Sequence, residues 1–542
     1  MRLVICLLVA AGLASATAST QAQSVDFESS NLPIVLIDTG GDTILDRTRI
    51  VAQMSIIDNG EGERNAVTDT PNDYQGRIEI EIRGSSSQIY PKKQYRLETQ
   101  DASGENDNVS LLGMPEENDW ILHAPYGDKT LMHNVLAYGL ARQMGRYASR
   151  TRFVEVVLNG QYEGVYVLME KIKRDGDRVD ISRLRPDEIE GDDLTGGYIF
   201  KSDRPSGDAE VEGWVSPYPS PASDDIPTMY LLDEPDPRDV APEQLDYIAG
   251  VMSAFERVMA SGDPDDPDAG YRAYIDLDSF VDFYIVTEVA RNADGYRLST
   301  FYHKDKDSDD PLIHAGPIWD FNASFGNANF SSASRVEGYQ VDFSDATTPY
   351  PVPFWWRRLV DRPSFQEALD ARWRELREGP LHTDSLMAQI DANAARLGEA
   401  QARNFERWPI LGQYVWPNAF VGATYQEEID YMKDWLTQRL AWLERRVTSA
   451  GETETPGALA LGAPRPNPAT GAVRLALSVG GIADVTVAVF DVRGRQVQTV
   501  WAGAVSGRSE IDIDVSGLSA GVYLVRATSP AGSATQTLAV VR

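Results

Sequence analysis

Two isolated carboxylates in apolar, aromatic surroundings are the residues of this chain best suited to chemistry. Asp294 lies in the segment Asn-Ala-Asp-Gly-Tyr, and Asp320 follows 26 residues later in Trp-Asp-Phe-Asn. The first comes after an apolar helical run, residues 280–290, and the second after a short strand-like run, residues 311–318. Carboxylates at the ends of rigid elements can orient an acceptor hydroxyl and hold a divalent cation on a phosphate. Aspartates also cap and turn chains, so the pair alone does not establish a site.

Length and composition predict an exported protein with a large core. The chain has 542 residues, of which 42% are hydrophobic, enough for two or three domains. Residues 1–22 predict a secretory signal peptide, with a basic start, an apolar centre and a small-residue end at Thr20–Ala22. The single cysteine, Cys6, falls inside it, so the mature chain is expected to contain neither a disulfide nor a cysteine metal site. No later apolar run reaches the roughly 18 residues of a transmembrane helix.

The formal net charge of −32 limits the classes of partner. A field of this sign argues against nucleic acid and anionic membranes as partners. The excess of acidic residues is interpreted mainly as a surface that holds water in a salty habitat. It also gives a mild preference for a basic segment in any protein that the chain binds.

Short apolar runs separated by turn residues predict strands in the first part of the chain. In one of them, Arg77–Arg83, apolar and charged residues alternate, which predicts a strand with one buried face. Asn159–Gly160 between two apolar runs predicts a tight hairpin. Strands are expected at residues 33–37, 50–57, 76–83, 152–158 and 165–172.

Helical spacing dominates later in the chain and predicts an α+β fold with a sheet-rich first lobe and a helical second lobe. Asp128 is interpreted as the cap of an early helix, whereas Asn134 within that helix is compatible with a turn or with a site. The cluster Phe354–Trp356 is interpreted as core packing. Helices are expected at residues 129–144, 241–261, 276–291, 354–377, 383–407 and 425–447.

The composition changes near residue 451, where a polar, turn-rich linker is expected over residues 451–463. The remaining residues, 464–542, alternate Val, Leu and Thr with few charges, which predicts a small antiparallel β-sandwich. Its strands are expected at residues 473–477, 483–490, 509–515, 521–528 and 534–541.

A glycine followed by three serines, Gly84–Ser87, comes directly after a predicted strand. Backbone N–H groups and hydroxyls in such a turn can bind phosphate, and a lysine in the next strand can reach it as a point charge. The segment is not a Walker A motif, because the Gly-Lys-Ser/Thr end is missing.

Five further segments follow one another before residue 202: Asp119–Leu122, Tyr126–Asn134, Asn159–Tyr166, Glu170–Ile172 and Thr195–Lys201. Together with the two carboxylate segments, this succession resembles the CotH kinase family, an atypical group of protein-kinase-like proteins. The resemblance runs from about residue 32 to about residue 447, within a domain expected over residues 23–450. It implies a divergent two-lobed kinase fold that uses ATP and Mg²⁺ or Mn²⁺ to phosphorylate Ser or Thr of an unidentified protein partner.

The resemblance also implies roles for individual residues. Asp294 matches the catalytic-loop aspartate that orients the acceptor hydroxyl or accepts its proton, and Asp320 matches the metal-holding aspartate. Lys93 is the first candidate for the lysine that binds the nucleotide phosphates, and Lys201 is the second. Glu170 is placed where a kinase has its hinge or its ion-pair glutamate.

The chain also departs from ordinary kinases. It has no Gly-x-Gly-x-x-Gly loop, and Ser299 stands where a kinase has the asparagine that binds a second metal ion. Asn322 is the candidate that replaces this asparagine as a metal ligand. Two alternatives therefore stay open: a non-catalytic surface scaffold that retains the fold, and an enzyme of the same fold that transfers another group, such as AMP.

The tail carries a resemblance of its own, in Arg465–Pro468, Val489–Arg495 and Leu518–Tyr523. These segments resemble the C-terminal sorting domain of type IX secretion substrates. The resemblance implies that the tail is recognised by the type IX secretion machinery and that the protein reaches the cell surface or the medium. A carbohydrate-binding or adhesive domain is the alternative for the same strand pattern.

Overall fold

The computed structural model describes residues 22–205, 212–220, 226–267, 269–344, 350–451, 459–462, 464–491, 493–529 and 532–542. The chain divides into two compact units, the first ending at Glu444 and the second beginning at Arg445. Almost all of the predicted signal peptide lies outside the described residues, as does most of the predicted linker.

The first 150 described residues contain nine strands, and seven of them close into a barrel in the order β2-β3-β5-β6-β7-β9-β8. Neighbouring strands are antiparallel, except that β2 and β8 close the barrel as a parallel pair. The strands are β1 (Ser29–Ser30), β2 (Ile34–Asp38), β3 (Ile50–Ile57), β4 (Asn65–Ala66), β5 (Tyr74–Arg83), β6 (Gln94–Gln100), β7 (Asp119–His123), β8 (Thr151–Leu158) and β9 (Gln161–Glu170).

The alternating pattern of the sequence explains the barrel core. In β5, Ile78 and Ile80 are fully buried in the core, while Glu79 and Glu81 are partly exposed, which confirms the predicted strand. The hairpin between β8 and β9 is also confirmed, because Asn159 and Gly160 both have positive φ angles, 50° and 76°, as a type I′ turn requires.

Helix α1 (His133–Gln143) begins four residues later than the sequence predicts. Met132, and not Asp128, is therefore the N-cap residue, although Oδ2 of Asp128 accepts the N–H of His133, the first residue of the helix, at 2.8 Å. Oδ1 of Asp128 accepts both the N–H and the hydroxyl of Thr130, at 2.9 and 2.6 Å. The carboxylate therefore fixes the point at which α1 starts.

The part of the first unit that follows the barrel contains helices and a second, five-stranded antiparallel sheet in the order β11-β12-β10-β13-β14. The prediction of a helical second lobe was incomplete, because this sheet was not expected. The strands are β10 (Tyr198–Ser202), β11 (Gly213–Ser220), β12 (Ile226–Glu234), β13 (Thr300–Lys304) and β14 (Ile313–Ala315). Two prolines in β11 obscure its pattern, and they are tolerated because β11 is an edge strand.

The helices of this part follow the predicted positions closely, with one exception. A single helix was predicted over residues 354–377, but Pro363 lacks the N–H that a continuous helix needs and starts a new helix. Trp355 and Trp356 are fully buried and confirm the core interpretation. The helices are α2 (Pro242–Ala260), α3 (Leu277–Ala290), α4 (Phe354–Val360), α5 (Pro363–Arg377), α6 (Thr383–Arg407) and α7 (Tyr425–Gly451).

The second unit is antiparallel, as predicted, but hydrogen bonds join its described strands into one sheet, not two. The two strands predicted at 473–477 and 483–490 are one 20-residue strand, whose first half pairs with β15 and whose second half pairs with β18. The strands are β15 (Ala460–Leu461), β16 (Ala472–Asp491), β17 (Gln496–Asp514), β18 (Gly521–Ser529) and β19 (Gly532–Val540).

Among the residues that the structure describes, no helix combines the length and the apolar character needed to cross a membrane.

A buried ion pair connects the last helix of the first unit to the end of α3. Arg439 of α7 donates to Glu288 Oε2 at 3.0 Å and to the backbone oxygen of Glu288 at 2.8 Å. Glu288 also accepts the hydroxyl of Tyr296 and the N–H groups of Gln340 and Val341. Both charges are almost fully excluded from water, so each depends on the other for neutralisation.

Replacing Arg439 by methionine would leave the Glu288 carboxylate buried without its cation. We expect Arg439→Met to lower the free energy of unfolding by about 3–5 kcal/mol, as for other broken buried pairs. The measurement is urea unfolding of wild type and variant. Arg374→Met is the control, because the Arg374 side chain is 64% exposed and lies 3.8 Å from Asp370, and a change below about 0.5 kcal/mol is expected. Equal stability of the two variants would contradict the assignment.

Candidate active-site cleft

A cleft of about 300 Å³ lies between the barrel and the second sheet of the first unit. Residues of β5, β6 and β7 form one wall, residues of β10 and β12 form the other, and the loops after α3 and β14 form the base. Gly84 and the three serines that follow it also line it. Its charged lining includes Arg83, Arg96, Lys171, Lys201, Asp203, Arg204, Asp233, Asp294 and Asp320.

The loop after α3 brings the two predicted carboxylates together. The helix ends at Arg291, whose φ of 45° turns the chain towards the cleft. Asn292 then connects the two segments: its Oδ1 accepts the N–H of Asp294 at 3.3 Å, and its Nδ2 donates to the backbone oxygen of Asp320 at 3.2 Å. One amide side chain thus sets the spacing between the two carboxylate-bearing backbones.

Asp294 is held on a tightly packed turn. Arg297 donates to its Oδ1 at 2.7 Å. The turn needs Gly295, because a Cβ there would lie 2.5 Å from Cγ2 of Thr287. Tyr296 adopts a φ of 69°, a left-handed conformation that costs a residue other than glycine roughly 1–2 kcal/mol. Such strain is common where a functional group must be held in one place.

Helix α1 contacts the backbone of the second carboxylate segment. The hydroxyl of Tyr138 accepts the N–H of Asp320 at 3.1 Å, and Oδ1 of Asn134 accepts the N–H of Phe321 at 2.8 Å. Asn134 also lines the cleft. Of the two alternatives left open for Asn134, the side chain therefore faces the cleft.

The next residue of the segment contacts α1 as well. Nδ1 of His133 lies 3.0 Å from the backbone oxygen of Asn322. A carbonyl oxygen only accepts, so Nδ1 carries the hydrogen. Nε2 of the same ring lies 3.4 Å from Oδ1 of Asp128, the carboxylate that fixes the start of α1. The Asn322 side chain is exposed and lines the cleft.

Burial and like charge shift the titration of these carboxylates. Burial, and next the charge of Asp294, raise the pKa of Asp320 to about 7. Burial also raises the pKa of Asp294, although Arg297 opposes the shift. Asp203 adds a third acidic group to the cleft, and burial raises its pKa too. The cleft therefore favours the binding of a cation between these groups.

Lys201 lies in the cleft with an acidic partner that sequence reasoning missed. Its Nζ is 3.2 Å from Oδ1 of Asp233 on the neighbouring strand. Burial by itself would lower the pKa of Lys201, but Asp233 and Asp203 raise it, so the ammonium stays charged. Asp203 follows Lys201 by two residues, at the end of β10. Because alternate side chains of a strand lie on the same face, the sequence could have indicated that Asp203 faces the same side as Lys201.

Lys93 and Glu170 do not line the cleft. Gln94 and Met169, their sequence neighbours, do line it, because successive side chains of an extended chain point to opposite faces. Nζ of Lys93 donates to the backbone oxygen of Gln88 at 2.6 Å. Glu170 is fully buried and accepts from Arg150 at 2.8 Å, which makes it part of the core.

Within the described ranges, no group of three His, Cys, Asp or Glu side chains is arranged to hold a metal ion by itself. The oxygen donors that line the cleft include the carboxylates of Asp320, Asp294 and Asp203 and the amide oxygen of Asn322. Such hard oxygen donors suit Mg²⁺ and Mn²⁺. Mg²⁺ is commonly bound by only one or two carboxylates together with water and substrate phosphates, so this donor set fits a metal that arrives with a nucleotide.

Comparison with known protein families identifies the family of the chain. Residues 80–443 match the model of the CotH kinase protein family. The chain belongs to the CotH kinase protein family. The match contains Asp294, Asp320 and nearly all of the cleft lining, so the predicted membership is confirmed. The chain matches none of the curated proteins.

The tail matches a second family model. Residues 466–541 match the secretion system C-terminal sorting domain, as the sequence predicts. This match implies that the type IX secretion machinery takes part in export and that the protein reaches the cell surface or is secreted. The strands β16 to β19 make up most of the matched segment.

The raised pKa of Asp320 predicts a stability change that depends on pH. The folded protein keeps this carboxyl protonated up to about pH 7, whereas the unfolded chain releases the proton near pH 4. Between these values the folded state binds more protons, so the free energy of unfolding falls as the pH rises. Asp320→Asn replaces the carboxyl with an amide that does not titrate, so this fall in the free energy of unfolding does not occur in the variant. We expect the melting temperature of the variant to exceed that of wild type by an amount that grows from about pH 4 to 7, reaching on the order of 1–3 °C.

Calorimetric unfolding in a metal-free buffer measures this difference. Asp384→Asn is the control for the change from carboxylate to amide, because the Asp384 side chain is 93% exposed. A melting difference for Asp320→Asn that is flat between pH 4 and 8 would rule out the raised pKa.

Proposed function

We propose that this CotH protein is an exported atypical kinase that transfers the γ-phosphoryl group of ATP to Ser or Thr of a protein partner, with a divalent metal ion. The observation that carries the proposal is the meeting of Asp294 and Asp320, from separate parts of the chain, in one cleft. Family membership supports a kinase-like protein. We place the kinase domain at residues 23–450, with a divergent two-lobed kinase fold, and the sorting domain at residues 464–542.

The two carboxylates take different roles in the proposed reaction. Arg297 holds Oδ1 of Asp294, and we assign Oδ2 to the proton of the acceptor hydroxyl. Burial makes Asp294 a stronger base than an exposed aspartate. Asp320 and Asn322 would hold Mg²⁺ or Mn²⁺, which when bound neutralises charge on the phosphates of ATP.

The basic side chains of the cleft would bind the phosphates. Lys201 is the lysine that we assign to this role, because it lines the cleft and stays charged beside Asp233. This pair resembles the lysine–acid ion pair of kinases in chemistry, although both partners lie on strands of one sheet. Lys93 and Glu170 are left out of the nucleotide site because they point away from the cleft.

The proposal predicts metal-dependent binding of ATP. Calorimetric titration of ATP, with and without Mg²⁺ or Mn²⁺, should show binding by wild type only when the metal is present. Asp320→Asn should weaken this binding by at least about tenfold, since a metal-holding carboxylate is lost. Asp384→Asn is the matched control and should bind as wild type does. Absence of binding under every metal condition would favour the scaffold alternative, and unchanged binding by Asp320→Asn would remove this residue from the site.

A second prediction separates chemistry from binding. Asp294→Asn keeps the shape of the side chain but cannot accept a proton, so phosphoryl transfer to Ser-containing basic peptides should slow by about 10²–10⁴-fold. The affinity for ATP with metal should stay within about twofold of wild type. Transfer followed with ATP labelled at the γ-phosphate measures the rate, and parallel reactions with ATP labelled at the α-phosphate detect AMP transfer. Label from the α-phosphate alone on the peptide would identify the other transfer reaction.

A further inference from the structure

Helix α1 and the segment Asp320–Asn322 are joined by a regular set of contacts. Residues of the segment in chain order contact residues of the helix in reverse order, first Tyr138, then Asn134, then His133. The segment therefore runs antiparallel to the helix axis. The contact distances are 3.1, 2.8 and 3.0 Å, all within the range of good hydrogen bonds.

These contacts fix the backbone conformation of the segment. It lies beyond the end of β14 at Ala315 and well before α4, so regular secondary structure does not supply its hydrogen bonds. Asp320 has a φ of 61°, which local preferences disfavour. The side chains on α1 bind two backbone N–H groups and one carbonyl oxygen, and so fix the direction in which the Asp320 carboxylate leaves the chain.

The helix itself is anchored independently of the segment. Asp128 binds the first N–H of α1, and Tyr425 of α7 donates to the backbone oxygen of Thr130 at 3.1 Å. On the segment side, the ring of Tyr138 stacks on that of Trp319, with 6.0 Å between centroids. The anchored helix thus presents two acceptors and one donor to the segment.

We propose that α1 is the positioning element of the metal-binding segment, and that Tyr138, Asn134 and His133 are positioning residues for phosphoryl transfer. The inference rests on the proposed function for its chemical role, but the holding of the segment can be measured without nucleotide. Loss of one contact frees the backbone of Asp320, so its carboxylate no longer stays in one place, and the site binds the metal less well.

Tyr138→Phe tests this with the smallest change available. It removes only the hydroxyl that accepts the N–H of Asp320 and keeps the ring that stacks on Trp319. Tyr198→Phe is a closely matched control: Tyr198 is also fully buried, stacks on Tyr247 at 6.0 Å, and bonds through its hydroxyl to a backbone oxygen at 2.7 Å. Asn134→Leu is a second variant, which removes the contact to Phe321.

Two measurements are made on the full chain. Hydrogen exchange followed by mass spectrometry should show the peptide spanning residues 317–325 exchanging at least about tenfold faster in Tyr138→Phe and in Asn134→Leu, with no change there in Tyr198→Phe. Mn²⁺ titrated with ATP present should bind about 10–100-fold more weakly to Tyr138→Phe than to wild type or Tyr198→Phe.

Unchanged exchange of residues 317–325 in Tyr138→Phe and Asn134→Leu would overturn the inference. Faster exchange with unchanged Mn²⁺ affinity would overturn the positioning role, and so would an equal loss in Tyr198→Phe. If wild type binds neither Mn²⁺ nor ATP, the proposed function fails, and the exchange comparison alone then decides whether α1 holds the segment.

Discussion

The repulsion between Asp294 and Asp320 is the constraint on which the arrangement around the cleft depends. Burial and mutual repulsion both oppose the ionised forms, as the pKa of about 7 for Asp320 shows. The surrounding structure holds the two groups together by binding their backbones. Asn292 connects the two segments directly, and α1 binds the backbone of the second segment. A cation relieves the repulsion, and a site that is strained without its ligand is organised to bind one.

Much of this site could be predicted from the sequence, because its main carboxylates end well-patterned elements. The apolar run of α3 and the strand-like run before Trp319 both indicated where the chain would turn, and the structure brings Asp294 and Asp320 into one cleft. The choice between lysines could not be made in the same way. The packing of the barrel against the second sheet determines which face of each strand lines the cleft. Only these tertiary contacts show that Lys201 lines the cleft and that Lys93 does not.

The position where kinases carry a second metal-binding asparagine is filled differently here. Ser299 has a φ of 48°, and its hydroxyl lies 3.4 Å from Oδ2 of Asp203. Asp203, from the end of β10, and Ser299 therefore meet in the lining of the cleft. Such contacts join residues 96 positions apart, so spacing along the chain gives no signal for them. The local pattern of the sequence predicts helices and strands, whereas the contacts between side chains across the cleft depend on the tertiary fold.

The buried pair of Glu288 and Arg439 has a consequence for biosynthesis. The two residues are 151 positions apart, and Arg439 lies near the end of the first unit. While the ribosome makes the chain from its amino end, Glu288 has no cationic partner until α7 has emerged. The loop that carries Asp294 directly follows the helix of Glu288. A nascent chain that ends before α7 therefore cannot neutralise Glu288, and the end of α3 gains this stabilising contact only late in synthesis.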